Sequence, residues 1–119
     1  MPTEARHLNA AAHNKQLARS LLASLEGEWA AVLTFYSALH LVDSYFARAG
    51  LHPLSHEMRK EYIRRTSELR RIFADYRSLE TRSRDARYSL LRISPSAAQQ
   101  LMENELTAIE TLVASLLQN

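Results

Sequence analysis

The chain has 119 residues, a formal net charge of +2 and no cysteine, so it is long enough for one domain with one core and excludes disulfides, thiolate metal sites and thiol nucleophiles. Its N-terminal residues lack the apolar segment of a signal peptide, and no run of about 18 uncharged apolar residues occurs. We therefore expect a single cytoplasmic domain over residues 1–119 without a membrane span, in which residues 1–8 are disordered.

The first two predicted elements are helices, because their apolar residues recur at intervals of three and four. The first helix covers about residues 9–25 and ends or kinks near Gly27, and the second covers about residues 28–48. Gly50 can supply a left-handed cap for the second helix, and Pro53 prevents its continuation.

The second half of the chain predicts two further helices with an uncertain segment between them. Ser55 is a reasonable N-cap for a third helix that reaches Tyr76 or Leu79. Residues 77–93 are the least periodic part, for which we expect a loop and a short helix. Ser94 followed by Pro95 is a helix start signal for a long last helix that ends near residue 116. The fold class is thus all-α, and the wide apolar face of the last helix favours a bundle covered by a second copy in a homodimer.

Positive charge is concentrated in one part of the chain. Eleven of the 15 basic residues lie between residues 59 and 92 with five acidic residues, which gives this segment a net charge of +6 and the remainder −4. Ten of the eleven are arginines, whose planar fork suits phosphate and base edges. One interpretation is that this segment binds an anionic partner. The other is that it is an ordinary solvated helix face with Glu-to-Arg pairs such as Glu61 to Arg65.

Two polar residues stand on the apolar stripe of the second helix. His40 and Asp43 share a face with Trp29 and Tyr36, so each needs a partner if it is buried. They could bond each other or Arg and Tyr side chains of the third helix, or they could line a cleft in which His40 acts as an acid, a base or an anion donor. The other histidines have no ligand spacing, and no metal or cofactor is expected.

The turn before the third helix brings His56 and Arg59 to a helix N-terminus, which is either a phosphate-binding corner or an ordinary capped turn. The stretch SRDARYSL, residues 83–90, is the other concentration of hydrogen-bonding side chains. A glycine-rich phosphate loop, a GxSxG motif and a hydrolase-like carboxylate pair are all missing from the sequence. Known catalytic motifs therefore do not indicate an enzyme, and no catalytic residue is assigned.

Several motifs in order together resemble the HEPN superfamily, the small helical domains named for higher eukaryotes and prokaryotes nucleotide-binding. The matching features cover about residues 28–119 and are Phe35 and Tyr36 with His40, the turn GLHPLSH leading to Arg59, Tyr76 with Leu79, and Ala86, Arg87 and Tyr88. The resemblance implies an antiparallel bundle of four or five helices, dimerised with its polar clefts facing each other. It also implies a relationship to metal-independent ribonucleases of toxin–antitoxin, antiviral and RNA-processing systems.

The ribonuclease members carry an Arg, a polar residue and a His about five positions after the Arg. Arg84 and Asp85 resemble the first two positions, but Ser89 stands five positions after Arg84, and no histidine follows His56. A serine hydroxyl cannot exchange protons near pH 7 as an imidazole can. The other branch of the superfamily keeps an Arg-Tyr pair like Arg87 and Tyr88 and is implied to bind nucleotides or nucleic acid, or to partner a nucleotidyltransferase.

The sequence thus predicts a non-catalytic, homodimeric, HEPN-like protein that binds a nucleotide or RNA, in a toxin–antitoxin or defence setting. The expected binding residues are Arg84, Asp85, Arg87, Tyr88, Arg59, His40, Asp43 and His56. One alternative is a ribonuclease with a degenerate motif, with His40 as the first candidate for the imidazole. Another is a protein-interaction module with a partner encoded nearby. For Arg87 and Tyr88 the alternative is an internal lock, with Arg87 paired to Asp43 or Asp75 and Tyr88 packed under the last helix.

Overall fold

The computed structural model describes residues 1–118, which form a helical bundle with no strand in that range. The helices are α1 (Glu4–Ala23), α2 (Gly27–Arg48), α3 (His56–Arg65), α4 (Phe73–Tyr88), α5 (Pro95–Leu101) and α6 (Thr107–Leu117). A 3₁₀ turn, Arg70–Ile72, leads into α4, and a π-helical stretch, Met102–Leu106, joins α5 to α6. The prediction of an all-α bundle is confirmed. No helix within residues 1–118 is long and apolar enough to cross a membrane.

Helix α1 begins five residues earlier than expected. Thr3 caps it by accepting a hydrogen bond from the Arg6 N–H at 3.2 Å, and Glu4 forms an ion pair with Arg48 at 2.9 Å. The expectation of disorder is therefore wrong from Glu4 onward. Local periodicity does not reveal this turn, because it has few apolar residues and is held by polar contacts with the end of α2.

The first helix ends near Gly27 as predicted, but Gly27 itself is not the left-handed residue of the turn between α1 and α2. Helix α1 ends in a Schellman motif in which Leu25 has a left-handed φ of 62° and the Glu26 N–H donates to the Leu21 carbonyl at 2.8 Å. Gly27 is instead the first residue of α2. A Cβ there would lie 2.1 Å from the Ile93 carbonyl oxygen, so glycine is needed because the chain before α5 passes against the start of α2.

Helix α2 is central and is covered on several sides by α1, α4, α5 and α6. It runs antiparallel to α1, since the Ser37 hydroxyl donates to the Ala11 carbonyl at 2.8 Å while the end of α2 meets the start of α1. Its end has the predicted cap, with Gly50 at φ 76° and the Leu51 N–H donating to the Phe46 carbonyl at 2.9 Å. The largest fully buried side chains around it include Phe35, Phe46, Ile63, Leu69, Tyr76, Leu79, Leu106 and Ile109.

The predicted third helix is divided into two. Ser55 caps α3 as expected, accepting from the Met58 N–H at 3.0 Å, but α3 ends at Arg65 and Thr66 is extended. Residues 77–93, for which a loop and a short helix were expected, contain both, but the helical part is the continuation of α4 to Tyr88 and the non-helical part follows it. The inward positions of α4 include the polar residues Glu80 and Ser83. The apolar residues of this helix therefore show only weak helical periodicity.

The predicted last helix consists of α5, the π-helical stretch and α6. It starts as predicted, with Ser94 accepting from the Ala97 N–H at 3.0 Å and Pro95 in the first turn. Its apolar face is covered within one copy of the chain. The buried residues of that face are Leu101, Met102, Leu106, Ile109, Leu112 and Val113. The width of this face therefore does not by itself require a second copy.

Candidate functional site

The last turn of α4 holds Arg87 between two tyrosine rings. Its guanidinium carbon lies 5.6 Å from the centre of the Tyr36 ring and 4.9 Å from that of Tyr88. Nη1 donates to the Tyr36 hydroxyl at 3.1 Å and to the Tyr88 hydroxyl at 3.4 Å, and Nε donates to the Ser83 carbonyl at 3.3 Å. All these acceptors are neutral. Within residues 1–118, Arg87 has no carboxylate partner.

Helices α3 and α4 bring further basic side chains around a single buried carboxylate. Lys60 Nζ lies 3.0 Å and Arg84 Nη2 lies 3.7 Å from Glu80 Oε1, and His56 Nδ1 lies 4.0 Å from Glu80 Oε2. Only 6% of the Glu80 side chain is exposed, against 54% for Arg84. We call His56, Lys60, Glu80, Arg84 and Arg87 the cationic cluster. Lys60 also pairs with the exposed Glu57 at 3.1 Å, so three permanent positive charges face two negative ones.

The environment of His56 favours its neutral form. Burial lowers the pKa of His56 from its ordinary value of 6.5, and the positive charge of Arg59 lowers it further, as do those of Arg87 and Arg84, while Glu80 acts in the opposite direction. The imidazole is therefore mostly uncharged at neutral pH. A neutral imidazole beside a carboxylate and two guanidinium groups can accept a proton or donate a hydrogen bond.

Four buried polar atoms, two of them in this cluster and two on α4 beside it, have no hydrogen-bond partner in the described part of the chain. They are His56 Nδ1, the Tyr76 hydroxyl, Glu80 Oε2 and Ser83 Oγ. Phe35 packs against two of these side chains, with its ring centre 5.8 Å from that of His56 and 5.5 Å from that of Tyr76. An unsatisfied buried polar atom costs about 1–3 kcal/mol of stability. Sites that depart from the usual rule that buried polar atoms are hydrogen-bonded are often functional.

Two of the predicted site residues form a separate ion pair. Arg59 donates from Nε to Asp43 Oδ1 at 2.8 Å and from Nη2 to Oδ2 at 3.0 Å, and both side chains are buried. This confirms the alternative in which Asp43 is bonded by an Arg of the third helix. Arg59 is thereby neutralised and is not an open phosphate ligand, although its charge still acts on His56.

His40 contacts a residue that the sequence did not connect with it. Its Nδ1 lies 3.0 Å from Nδ1 of His7 on α1, with the ring centres 5.3 Å apart. Burial lowers the pKa of both imidazoles, and the neighbouring charge of His7 lowers that of His40 further. His40 therefore belongs to the α1–α2 contact, and the imidazole beside Arg84 and Arg87 is that of His56.

The remaining predicted residues have unequal roles. Tyr88 is 72% exposed, and Arg87 contacts Tyr36 rather than Asp43 or Asp75. An internal lock of the predicted kind is thus not formed. The only hydrogen bond of Asp85 within residues 1–118, apart from those inside the helix, is the one that its backbone carbonyl accepts from the Ser89 N–H at 3.1 Å.

Sequence reasoning missed Lys60, Glu80 and Ser83, although a signal for two of them existed. Tyr76, Glu80, Ser83 and Arg87 are spaced by four, three and four residues, which places them on one helical face. A search for polar residues at helical spacing would have found both α4 and its site. Lys60 comes from another helix and has no such signal.

The chain was also compared with known proteins. No family model, curated protein or solved structure matches it. Within residues 1–118, no group of three or more histidine or acidic side chains is arranged to hold a metal ion. The function is therefore inferred from the geometry and charge of the cationic cluster.

Proposed function

We propose that the protein binds a nucleotide or RNA through the cationic cluster, with phosphate at Arg87 and Arg84 and with Tyr88 as a stacking surface. The observation that carries this proposal is Arg87, a guanidinium fixed between two phenol rings with no carboxylate partner in residues 1–118. An arginine without a counterion is a favourable place for an anion, since it has no partner that an incoming phosphate must displace.

The orientation of Arg87 suits phosphate. Nε and Nη1 are fixed by Ser83 and Tyr36, and within the described residues Nη2 donates no hydrogen bond. A guanidinium held in this way loses little conformational freedom on binding, because its plane is already set. The Arg84 side chain, 54% exposed on the same helix, adds a second positive charge.

The exposed Tyr88 ring supplies the second element of nucleotide recognition. Stacking of a base on an aromatic ring is tolerant of sequence and contributes about 1–3 kcal/mol per base. A guanidinium next to an exposed phenol is also the Arg-Tyr pair by which the sequence resembles the nucleotide-binding branch of the HEPN superfamily. These features together support a nucleotide ligand over a simple inorganic anion.

The test is the binding of a labelled single-stranded RNA oligonucleotide, followed by fluorescence anisotropy. We expect affinity to fall steeply between about 50 and 200 mM salt, and Arg87→Ala to weaken binding at each salt concentration. Arg64→Ala is the matched control, because Arg64 is an exposed arginine paired with Glu61 on α3, and it should change affinity little. Absence of binding at the lowest salt concentration would overturn the proposal.

A second candidate function is metal-independent RNA cleavage, which the position of His56 favours. The neutral imidazole could take the proton of a ribose 2′-hydroxyl as its oxygen attacks phosphorus, while the bond to the 5′-oxygen breaks and that oxygen takes a proton from solvent. Arg84 and Arg87 would stabilise the charge on the phosphate. Here the imidazole comes from α3 rather than from the position after Arg84 or from His40.

Cleavage of labelled RNA in the presence of a chelator tests this candidate. We expect His56→Ala and Arg84→Ala to abolish cleavage while His13→Ala, which changes an exposed histidine on α1, retains it. Equal cleavage by wild type and by Arg84→Ala would assign the activity to contamination. RNA binding without cleavage would leave the binding function as the whole activity of the cluster.

A further inference from the structure

A cleft of about 210 Å³ adjoins Arg87 on the side of the molecule where α2 starts. It lies between the first turn of α2 and the chain that follows α4. The residues of this cleft that matter below are Glu26, Trp29, Val32, Arg87, Leu90 and Leu91. Its position makes it continuous with the cationic cluster, since Arg87 belongs to both.

Part of the cleft wall is apolar and exposed to solvent. Trp29 is 57% exposed, Leu90 85% and Leu91 55%, and Trp29 is the only tryptophan in the chain. Leu90 also has a left-handed φ of 55°, a conformation that is unfavourable for a leucine. An exposed indole next to a guanidinium is a surface on which a flat aromatic ligand can stack.

One wall is fixed by hydrogen bonds. Glu28 accepts from the Arg92 Nε at 3.0 Å and from the Ile93 N–H at 3.1 Å, which fastens the chain after α4 to the first turn of α2. Gly27 permits this close approach. The cleft is therefore preformed, and binding of a ligand would not have to order its walls.

Glu26 is the acceptor at the edge of the cleft. Its exposed carboxylate makes no hydrogen bond or ion pair through its side chain in the described part of the chain, in contrast to Glu28. A free carboxylate accepts best from two adjacent N–H donors. Among the nucleobases, the hydrogen-bonding edge of guanine presents two such donors side by side, its ring N1–H and its exocyclic amino group, the latter a donor that adenine lacks.

We propose that this cleft is a base-binding subsite that takes guanine, stacked on Trp29 with its donor edge toward Glu26, while the attached phosphate lies at Arg87. This proposal rests on the proposed function, because it requires the phosphate to bind the cationic cluster. The cleft takes the base of the nucleotide whose phosphate lies at Arg87, whereas Tyr88 stacks the base of the neighbouring nucleotide in RNA.

The single tryptophan gives a direct measurement. Guanosine 5′-monophosphate is titrated into the protein while indole emission is excited at a wavelength that the nucleotide does not absorb, with ribose 5-phosphate as the ligand lacking a base. We expect the nucleotide to quench Trp29 emission and to compete with labelled RNA about tenfold better than ribose 5-phosphate. Inosine 5′-monophosphate, which lacks the amino group, should fall between the two.

Variants separate the contributions. Trp29→Ala should remove the advantage of the nucleotide over ribose 5-phosphate without changing the affinity for ribose 5-phosphate. Glu26→Ala should remove the preference for guanosine over inosine monophosphate, and Arg87→Ala should weaken all three ligands. Leu17→Ala, an exposed leucine on α1 outside the cleft, is the matched control and should leave every ratio unchanged.

The outcomes distinguish the two proposals. If the nucleotide and ribose 5-phosphate compete equally with RNA and Trp29 emission does not change, the base subsite is wrong and phosphate binding by the cluster stands. If neither RNA nor any of the three ligands binds, both proposals fail. If sedimentation shows a dimer and Trp29 emission changes with protein concentration instead of with nucleotide, a second copy covers the cleft and the subsite proposal is overturned.

Discussion

Arg59 on α3 and Asp43 on α2 form a two-pronged ion pair with N–O distances of 2.8 and 3.0 Å, and both residues are more than nine-tenths buried. This contact joins the helix that carries His56 and Lys60 to the centre of the bundle. It also neutralises Arg59. Of the arginines whose charge acts on His56, the one without a carboxylate partner in residues 1–118 is therefore Arg87, while Arg84 lies 3.7 Å from Glu80.

The first prediction is that Asp43→Ala destabilises the fold by about 3–5 kcal/mol, because it leaves the Arg59 charge buried without a partner. Unfolding in urea measures the free energy. The matched control is Glu61→Ala, which breaks exposed pairs with Arg64 and Arg65 and should lower the free energy of unfolding far less, because exposed ion pairs contribute little. Equal effects of the two variants would mean that burial of the Asp43 pair does not matter.

The second prediction concerns pH. Burial lowers the pKa of His7, His40 and His56 below the ordinary value of 6.5 in the folded protein. The unfolded chain therefore binds protons at these residues before the folded protein does. Stability should be complete above pH 6.5 and fall as pH decreases from there, until the lowered folded-state pKa values are passed.

Urea unfolding over a series of pH values between about 7 and 5 tests this direction. Asp43 raises the pKa of His7 and of His40, and Arg59 lowers it. The test variant should therefore keep both Asp43 and Arg59. His7→Gln should reduce the dependence on pH, whereas His13→Gln, which changes an exposed histidine on the same helix, should leave it unaltered. Stability that increases toward pH 5 would contradict the prediction.

The third prediction uses the two left-handed helix caps. Leu25 at φ 62° and Gly50 at φ 76° occupy equivalent positions after α1 and α2. Leu25→Gly should raise the free energy of unfolding by about 1 kcal/mol, and Gly50→Ala should lower it by a similar amount. A Cβ at Gly50 would have no heavy atom within 4 Å, so its effect is purely conformational. Thermal unfolding of both variants measures it, and a stability loss for Leu25→Gly would show that the exposed leucine makes contacts of its own.

The fourth prediction separates charge from geometry at Arg87. Arg87→Lys keeps the charge but loses the planar fork that Tyr36 orients, so RNA affinity should fall although the salt dependence is preserved. Arg87→Ala should lower both the RNA affinity and its salt dependence, with the slope of log affinity against log salt decreasing in magnitude by about 1. Both variants should change the free energy of unfolding by about 1 kcal/mol or less, since Arg87 makes cation–π contacts and no ion pair in the described chain. A large loss of stability with unchanged RNA binding would make Arg87 a structural residue.

Local chemistry in the sequence was sufficient for the helical class and for several helix ends. The caps at Ser55, Ser94 with Pro95, and Gly50 were predicted and observed, because a cap depends on side chains and dihedral angles within four residues. The end of α3 at Arg65 was missed. The backbone at Thr66 is extended and breaks the helix. The spacing of apolar residues before and after Thr66 does not indicate this break.

The site was predictable only in part. Arg84, Arg87 and Tyr88 are expected to lie close together because they are neighbours along the chain, and Asp43 is expected to need a partner because it stands on an apolar stripe. The packing of α3 and α4 places His56 rather than His40 beside the arginines, and it places Glu80 among them while Arg59 is neutralised. The physical reason is that a polar side chain is paired by whichever helix packs against it, and the packing of helices is set by the whole core rather than by residues nearby in sequence.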